Sequence, residues 1–274
     1  MVEERNQVNR DTPPWIEGST ARVITSAGIG HHYRELLRST VNHCAVHCPE
    51  TWRRWWDILP PGCPSHEESQ YAFKIHALEE PIRSGFQHVL WMDTTFQPID
   101  SIEPLWAHIQ ETGWFVAEQS AHLGSWTSDR ALRIFGISRD EAMEIPLVYS
   151  GLVGINQASE VGLKIWERWR ELYAAGAFRG PHYNESCVDP WVARGLKWAG
   201  HCSNDPRCEG HRHDESALSF VLHELGLKPV APEWECYGIA RHVADYDVVK
   251  MRQAILDEGL YIFSDGTLAR ELCR

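Results

Sequence analysis

An acid followed by two hydroxyl residues, Asp93-Thr94-Thr95, closes a short apolar run and is the segment of the chain best suited to chemistry. The apolar run, residues 89–92, predicts a buried strand, and Pro98 then breaks the pattern. Ligands of open α/β sheets bind beyond the carboxyl ends of the strands, so an acid at this point faces a crevice. Asp93 is therefore a candidate to contact substrate or a divalent metal. The alternative is a turn in which its carboxylate accepts backbone N–H bonds.

A second candidate site comes from cysteine and histidine residues concentrated between positions 187 and 213. Cys202, Cys208 and His211 are thiol and imidazole ligands of the kind that hold tetrahedral zinc. No Cys-x-x-Cys pair accompanies them. The alternatives are a flexible lid or buried free thiols, which pack as small hydrophobes.

The elements that must position these residues alternate between strands and helices. Residues 21–30 predict a strand and a glycine-containing turn, and a helix follows from His31. Further helices are predicted at 69–85, 102–112, 161–174 and 215–226, and further strands at 114–118, 145–156 and 227–230. This alternation predicts an α/β fold with a largely parallel sheet covered by helices on both faces.

The opening strand, turn and helix form a common place for a nucleotide to bind against backbone N–H groups. The turn has neither a Gly-x-Gly-x-x-Gly fingerprint nor a phosphate loop ending in Gly-Lys-Ser/Thr. We predict a mobile lead-in over residues 1–20 and one domain over 21–274, in which 176–213 is an insertion or lid.

Composition limits the classes of function. Of the 274 residues, 43% are hydrophobic and 23% are charged, as in ordinary soluble globular proteins, and the formal net charge of −12 argues against a surface that grips nucleic-acid backbones. The 13 tryptophans suit a core as well as stacking on sugar or base faces. No apolar run reaches the 18 or so residues of a membrane span, and the polar N-terminus is unlike a secretory signal. We therefore expect a cytosolic protein with mostly reduced cysteines.

Four parts of the chain, in this order, resemble the GT-A class of nucleotide-sugar-dependent glycosyltransferases. They are Val23-Ile-Thr-Ser-Ala27, Tyr71-Ala-Phe-Lys74, Leu90-Trp-Met-Asp93-Thr-Thr95, and Tyr149-Ser-Gly-Leu-Val-Gly-Ile-Asn156 together with His213-Asp-Glu-Ser-Ala-Leu-Ser-Phe-Val-Leu-His-Glu-Leu-Gly-Leu-Lys-Pro229. The resemblance covers about residues 21–230. It implies a single GT-A-like domain with a Rossmann-like nucleotide-binding half, here carrying a Cys/His-rich insertion.

The resemblance also implies roles for the residues in these segments. Thr25, Ser26 and Lys74 would hold the nucleotide with Asp93 and Thr95 at the diphosphate; Tyr149, Ser150, Gly151 and His213 would face donor sugar and acceptor; Asp214 and Glu215 would lie near the reacting sugar. A carboxylate there could take the proton of an acceptor hydroxyl. Each role has a structural alternative: a helix cap for Asp214 and for the Thr25–Ser26 pair, a solvated helix face for Lys74, and a tightly packed strand for residues 149–151.

One departure from the class concerns the metal. Thr95 stands where the second acid of Asp-x-Asp would be. Mn²⁺ or Mg²⁺ paired with phosphates takes hard oxygen ligands, usually including one or two carboxylates. Asp93 alone would hold such an ion only weakly, and Lys74 or arginine side chains are the alternative source of positive charge for the leaving diphosphate.

The leading interpretation is a glycosyltransferase that moves a sugar from a nucleotide-diphosphate sugar, UDP-sugar by the habit of the class, to a hydroxyl acceptor. The acceptor is open between a glycan, a small molecule, a protein and modified DNA. Two alternatives remain: a nucleotidyltransferase with the same sheet plan, and a non-catalytic nucleotide-sugar-binding module. The threonine at position 95 favours the second.

Overall fold

A five-stranded mixed sheet forms the centre of the molecule. The computed structural model describes residues 21–186, 199–231, 233–241, 260–262 and 268–270. The predicted lead-in over residues 1–20 and Cys187 lie outside the described residues.

Four of the five central strands run in one direction. The strands are β1 (Arg22–Ala27), β2 (Trp52–Trp56), β3 (His88–Met92), β5 (Trp114–His122) and β6 (Pro146–Asn156), in the spatial order β2-β1-β3-β6-β5. Strand β1 pairs in parallel with β2 and β3, while β6 is antiparallel to both β3 and β5. The predicted α/β fold with a mostly parallel sheet is confirmed.

Seven helices and several short strands complete the described parts of the chain. The helices are α1 (His31–His47), α2 (Ala72–Arg83), α3 (Glu103–Thr112), α4 (Asp129–Phe135), α5 (Arg139–Met143), α6 (Glu160–Ala174) and α7 (His213–Glu224). Three antiparallel or parallel pairs lie outside the central sheet: β4 (Phe96–Pro98) with β9 (Ile239–Arg241), β7 (Tyr183–Asn184) with β8 (Ala199–Gly200), and β10 (Leu260–Ile262) with β11 (Leu268–Arg270).

Hydrophobic layers cover both faces of the sheet, as predicted. Because successive strand residues point to opposite faces, Val89 and Trp91 of β3 pack into one layer and Leu90 and Met92 into the other. The first layer takes its helical residues from α2, α4, α5, α6 and α7, and the second from α1 and α3. Strand β3 is therefore buried throughout, and its carboxyl end is fixed between two cores.

The structure departs from the sequence prediction at two places. Helices α4 and α5 were not predicted, although Ser128 caps the first and Ser138 with Glu141 forms a capping box on the second. Residues 227–230 form no extended strand, and only Val230 bridges to β5, at Ala117.

Two glycines inside β6 serve packing. A side chain at Gly151 would overlap the ring of Phe96, and one at Gly154 would overlap Ile109. The space beside each glycine is thus filled by the protein's own core. This gives a structural reason for both residues that needs no ligand.

No helix in the described parts of the chain is long and apolar enough to cross a membrane.

Candidate active site

Asp93 lies directly beyond the carboxyl end of β3, as predicted. Its backbone N–H donates to the Gly151 carbonyl at 2.7 Å, and its own carbonyl accepts from Phe96 N–H at 2.9 Å. These bonds make the turn, whereas no backbone N–H of the described residues donates to the Asp93 carboxylate. The side chain keeps 24% of its surface exposed and therefore has access to a ligand.

The nearest charge to Asp93 is the ammonium group of Lys74, which α2 carries into the core. Lys74 Nζ lies 3.7 Å from Asp93 Oδ2 and 2.6 Å from Asp214 Oδ2, and it also donates to Ser150 Oγ at 2.8 Å. Only 3% of the side chain is exposed, so the alternative of a solvated helix face is wrong. Burial alone would favour the neutral amine, but the charges of Asp214 and Asp93 outweigh it and raise the pKa of Lys74.

Asp214 is held in place by two donors. Besides Lys74, the hydroxyl of Ser150 donates to Asp214 Oδ2 at 2.5 Å, and the carboxylate is almost completely buried. The predicted alternative, a helix-capping Asp214, is wrong: α7 begins one residue earlier, its N-cap is Arg212, and no side chain caps it. Asp214 is therefore an ion-pair partner whose oxygen is already engaged.

Glu215, the next residue, has a different environment. Its side chain is half-buried and forms a hydrogen bond with Gln119. Burial, and then the charge of Asp214, raise the pKa of Glu215 to about 7, although Arg212 and Lys74 act in the opposite direction. A carboxyl group with a pKa near neutrality can accept and release a proton under physiological conditions.

Backbone strain is concentrated at the two residues that flank the Lys74–Asp214 pair. Tyr71 has a φ of 55° and His213 a φ of 46°, and they are the two non-glycine residues with positive φ in the described chain. Such conformations cost about 1–3 kcal/mol each and persist only where the surroundings enforce them. The two rings lie 5.5 Å apart, and Lys74 Nζ lies 5.3 Å from the Tyr71 ring centre.

His213 has no exposed surface through which to contact a substrate. Its Nδ1 lies 2.9 Å from the carbonyl of Phe178, and its Nε2 lies 3.3 Å from Nδ1 of His182. Both ring nitrogens are engaged within the protein, so the predicted contact of His213 with donor sugar or acceptor has no free ring atom to form it. Sequence reasoning missed His182, because no motif or helical spacing links it to a residue 31 positions away.

The hydroxyls of Thr25 and Ser26 at the end of β1 are both buried. Thr25 Oγ1 donates to the Ala77 carbonyl at 3.3 Å, while Ser26 Oγ has no hydrogen-bond partner within the described residues. Neither caps α1, whose N-cap is Gly30 without a side-chain bond, so the capping alternative is wrong. The predicted nucleotide contacts of these residues stay predictions.

The other predicted site residues divide between surface and core. Thr95 and Tyr149 are half-buried, and Tyr149 pairs with Ala117 of β5. Ser150 belongs to the buried network, and Gly151 is packed against Phe96. Of the residues assigned to donor sugar and acceptor, Tyr149 is the one whose side chain is partly open to solvent.

The residues around Asp93 are a poor match for a divalent metal. No group of three histidine, cysteine or acidic residues suited to a metal ion occurs within the described ranges. Lys74 brings a positive charge to within 3.7 Å of the Asp93 carboxylate. This ammonium group would compete with a metal ion for the same carboxylate oxygens. Binding of the predicted Mn²⁺ or Mg²⁺ at Asp93 stays a prediction.

The predicted zinc ligands are not assembled into one site among the described residues. Cys202 and Cys208 are buried thiols that form a hydrogen bond with each other, whereas His211 Nε2 lies 2.8 Å from the Ala177 carbonyl. The two thiols pack in the core of this segment, which was the alternative interpretation.

Comparison with known proteins gives similarity in architecture alone. Neither the family models nor the sequences of curated proteins give a match to this chain. Among solved structures, the galactosyltransferase LgtC is 13% identical with a TM-score of 0.34, and the match covers 78% of this chain and 99% of that one.

Two further solved structures show the same low level of similarity. Mouse xyloside xylosyltransferase 1 is 10% identical with a TM-score of 0.40, over 77% of this chain and 84% of that one. A glycosyltransferase involved in glycosylation of the major capsid of PBCV-1 is 10% identical with a TM-score of 0.34, over 55% of this chain and 67% of that one. These proteins are glycosyltransferases, the class that the sequence resembles, but similarity this low carries no weight for the reaction or its substrates.

Proposed function

We propose that this protein is a glycosyltransferase that moves a sugar from a nucleotide-diphosphate sugar to a hydroxyl group of an acceptor. The observation that carries the proposal is the buried ammonium of Lys74, 2.6 Å from Asp214 and 3.7 Å from Asp93 at the end of β3. Burying one cation with several acids is costly and is typical of functional sites. Its position at the strand end agrees with the site that the sequence resemblance implies.

In the proposed reaction, the bond between the anomeric carbon and the diphosphate oxygen breaks as the acceptor oxygen bonds to that carbon. The acceptor hydroxyl loses a proton, and the diphosphate leaves with the electron pair of the broken bond. Glu215 suits the role of proton acceptor because its side chain is half-buried and its pKa is raised to about 7. Asp214, engaged by Lys74 and Ser150, instead fixes the position of the ammonium group.

The donor side of the proposed site lies at the carboxyl ends of β1 and β3. Helix α1 starts after β1 with Gly30 as N-cap and has no acid in its first turn, so its N-terminal N–H groups are suited to phosphate oxygens. Asp93 is the partly exposed acid at the neighbouring strand end. We assign it to the donor, at the ribose, the sugar or the diphosphate.

The proposal is tested by measuring release of the nucleoside diphosphate from a panel of UDP-, GDP-, CDP- and ADP-sugars, with and without Mn²⁺. We expect one nucleotide class to be turned over, and Asp93→Asn to reduce the rate at least about a hundredfold with an unchanged circular dichroism spectrum. The matched control is Asp100→Asn, an exposed acid seven residues further on. Equal rates for Asp93→Asn and wild type would remove Asp93 from the site.

A non-catalytic nucleotide-sugar-binding module is the second candidate. Thr95 in place of an acid and the lack of a three-ligand metal group among the described residues favour it. Such a module would show a ligand-dependent rise in melting temperature with a nucleoside diphosphate. It would release no diphosphate from any sugar in the panel.

A further inference from the structure

A directed chain of hydrogen bonds leads from Arg212 through two histidines to the start of α7. Arg212 Nη1 lies 3.1 Å from His182 Nε2, and a guanidinium can only donate, so His182 Nε2 accepts. The proton of the neutral His182 ring is then on Nδ1, which donates to His213 Nε2 at 3.3 Å. His213 in turn carries its proton on Nδ1 and donates to the Phe178 carbonyl at 2.9 Å. The four groups thus fix both tautomers.

The surroundings of the two rings keep them neutral. Burial, reinforced by the charge of Arg212, lowers the pKa of His182 to about 3, and burial lowers the pKa of His213 well below its usual value. Neither ring gains a second N–H near neutral pH, so the direction of the chain does not reverse. A hydrogen-bond chain with one allowed direction is a rigid connection.

The connection ends at the strained residue that precedes the two acids. His213 has a φ of 46°, so the backbone enters α7 in a conformation that an unsupported histidine would rarely adopt. Two other contacts hold the same turn: Trp169 Nε1 donates to the Asp214 carbonyl at 3.1 Å, and the Tyr71 ring lies 5.5 Å from the His213 ring. The orientation of His213 therefore determines the positions of the Asp214 and Glu215 side chains.

We propose that His182 is a positioning residue that holds the first turn of α7 through its hydrogen bond to His213. In that position Asp214 stays paired with Lys74, and Glu215 stays half-buried. The consequence for turnover depends on the proposed glycosyl transfer. The consequence for the geometry of the two acids does not.

The test measures the carboxyl pKa of Glu215 by carbon-13 NMR in four proteins: wild type, His182→Leu, His182→Asn and His88→Leu. The asparagine amide can replace the Nδ1–H donor of His182, whereas leucine cannot. His88 is the matched control, since it is buried at the other end of β3 and neither of its ring nitrogens has a partner within the described residues.

We expect the Glu215 pKa to fall by about one unit in His182→Leu, because a displaced first turn exposes the carboxylate to water. His182→Asn and His88→Leu should stay within about 0.3 units of wild type. An unchanged pKa in His182→Leu overturns the proposal, and so does an asparagine variant as strongly shifted as the leucine variant. If His182→Leu fails to fold, nitrogen-15 NMR of wild type decides: Nδ1–H on His182 supports the chain, and Nε2–H overturns it.

Turnover of the same four proteins separates this inference from the proposed function. With an active enzyme, kcat of His182→Leu should fall on the order of tenfold while the KM for the donor changes less than about twofold, and His182→Asn should recover most of the loss. If no protein in the set transfers sugar but the pKa shift appears, the glycosyltransferase proposal fails and the positioning role stands.

Discussion

Two neighbouring clusters of titratable residues meet at the start of α7, and one of them is charged whereas the other is neutral. The charged site, which consists of Lys74, Asp93, Asp214 and Glu215, keeps a buried ammonium that pairs with Asp214 at 2.6 Å. The histidine cluster, His182, His211 and His213, is also largely buried, but within the described ranges none of its rings forms a hydrogen bond with a carboxylate. Burial lowers the pKa of all three rings.

The difference shows what decides the charge of a buried group here. Desolvation disfavours the ionised form of a lysine and of a histidine alike, and only a close opposite charge compensates for it. Lys74 has that compensation, so its pKa is raised. His213, one residue before Asp214, directs its ring nitrogens to His182 and Phe178 and stays neutral. The charged site therefore provides charged groups for chemistry, and the histidine cluster provides a rigid hydrogen-bonded support.

Removing the ammonium group should break the charged site most severely. Lys74→Met leaves Asp214 buried without its cation, which we expect to lower the free energy of unfolding by about 3–5 kcal/mol. Urea denaturation at pH 7 measures the loss. The double variant Lys74→Met with Asp214→Asn should be more stable than the single variant, because it leaves no unpaired charge. Arg168→Met is the surface control, since its pair with Glu224 is partly solvated and is worth less than about 1 kcal/mol.

A Lys74→Met loss no larger than the Arg168→Met loss would mean that water reaches the Lys74–Asp214 pair. The charged site would then not be shielded from water, as the comparison with the histidine cluster assumes.

Acidification should charge the histidine cluster and destabilise the fold. Burial lowers the pKa of His211 to about 4, below its unfolded value of about 6.5. The neutral ring therefore makes its full contribution to the free energy of unfolding above pH 6.5, and this contribution is lost as the pH falls toward 4. For His211 alone the loss between pH 7 and pH 4.5 is about 2 kcal/mol. His211→Gln keeps a donor for the Ala177 carbonyl but cannot titrate, so its stability should depend less on pH over this range. Parallel pH profiles for the two proteins would contradict the neutral assignment.

Glu215→Gln should change the pH dependence of stability in the opposite direction. The folded pKa of Glu215, about 7, lies above its ordinary value of 4.5. The wild type therefore loses stability as the pH rises from about 4.5 through 7, while the variant does not. We expect a higher melting temperature for Glu215→Gln at pH 8 and almost no difference at pH 4. A lower melting temperature for the variant at pH 8 would show that the carboxylate is well solvated.

The sequence predicted the parts of this site that depend on neighbouring residues, and it did not predict contacts between residues far apart along the chain. Asp93 follows a local rule, an acid after an apolar run, and its place at the strand end is confirmed. Periodicity also predicted α2, α7 and β6, but it contains no information on which helix face meets which strand. The contact of Lys74 with residues 140 positions later, at Asp214, was therefore not predictable from pattern alone.

The histidine cluster was the least predictable part. Its polar contacts join residues 178 and 182 to residue 213, and the intervening sequence shows too little periodicity to predict the path of the chain. The cysteine and histidine density there suggested zinc, whereas Nε2 of the buried His211 ring bonds to the Ala177 carbonyl. The capping box at Ser138 and Glu141, in contrast, is local and marks the start of α5 directly in the sequence.

The most direct test of the account is the pH dependence of the single-turnover rate of sugar transfer, measured for wild type and Glu215→Gln with a saturating donor. If Glu215 accepts the acceptor's proton, the wild-type rate rises with pH through an apparent pKa of about 7, the value for its carboxyl group. The Glu215→Gln rate should be lower by about a hundredfold or more and should not change between pH 5 and pH 9. A Glu215→Gln enzyme with the wild-type rate and the same pH profile would contradict the account.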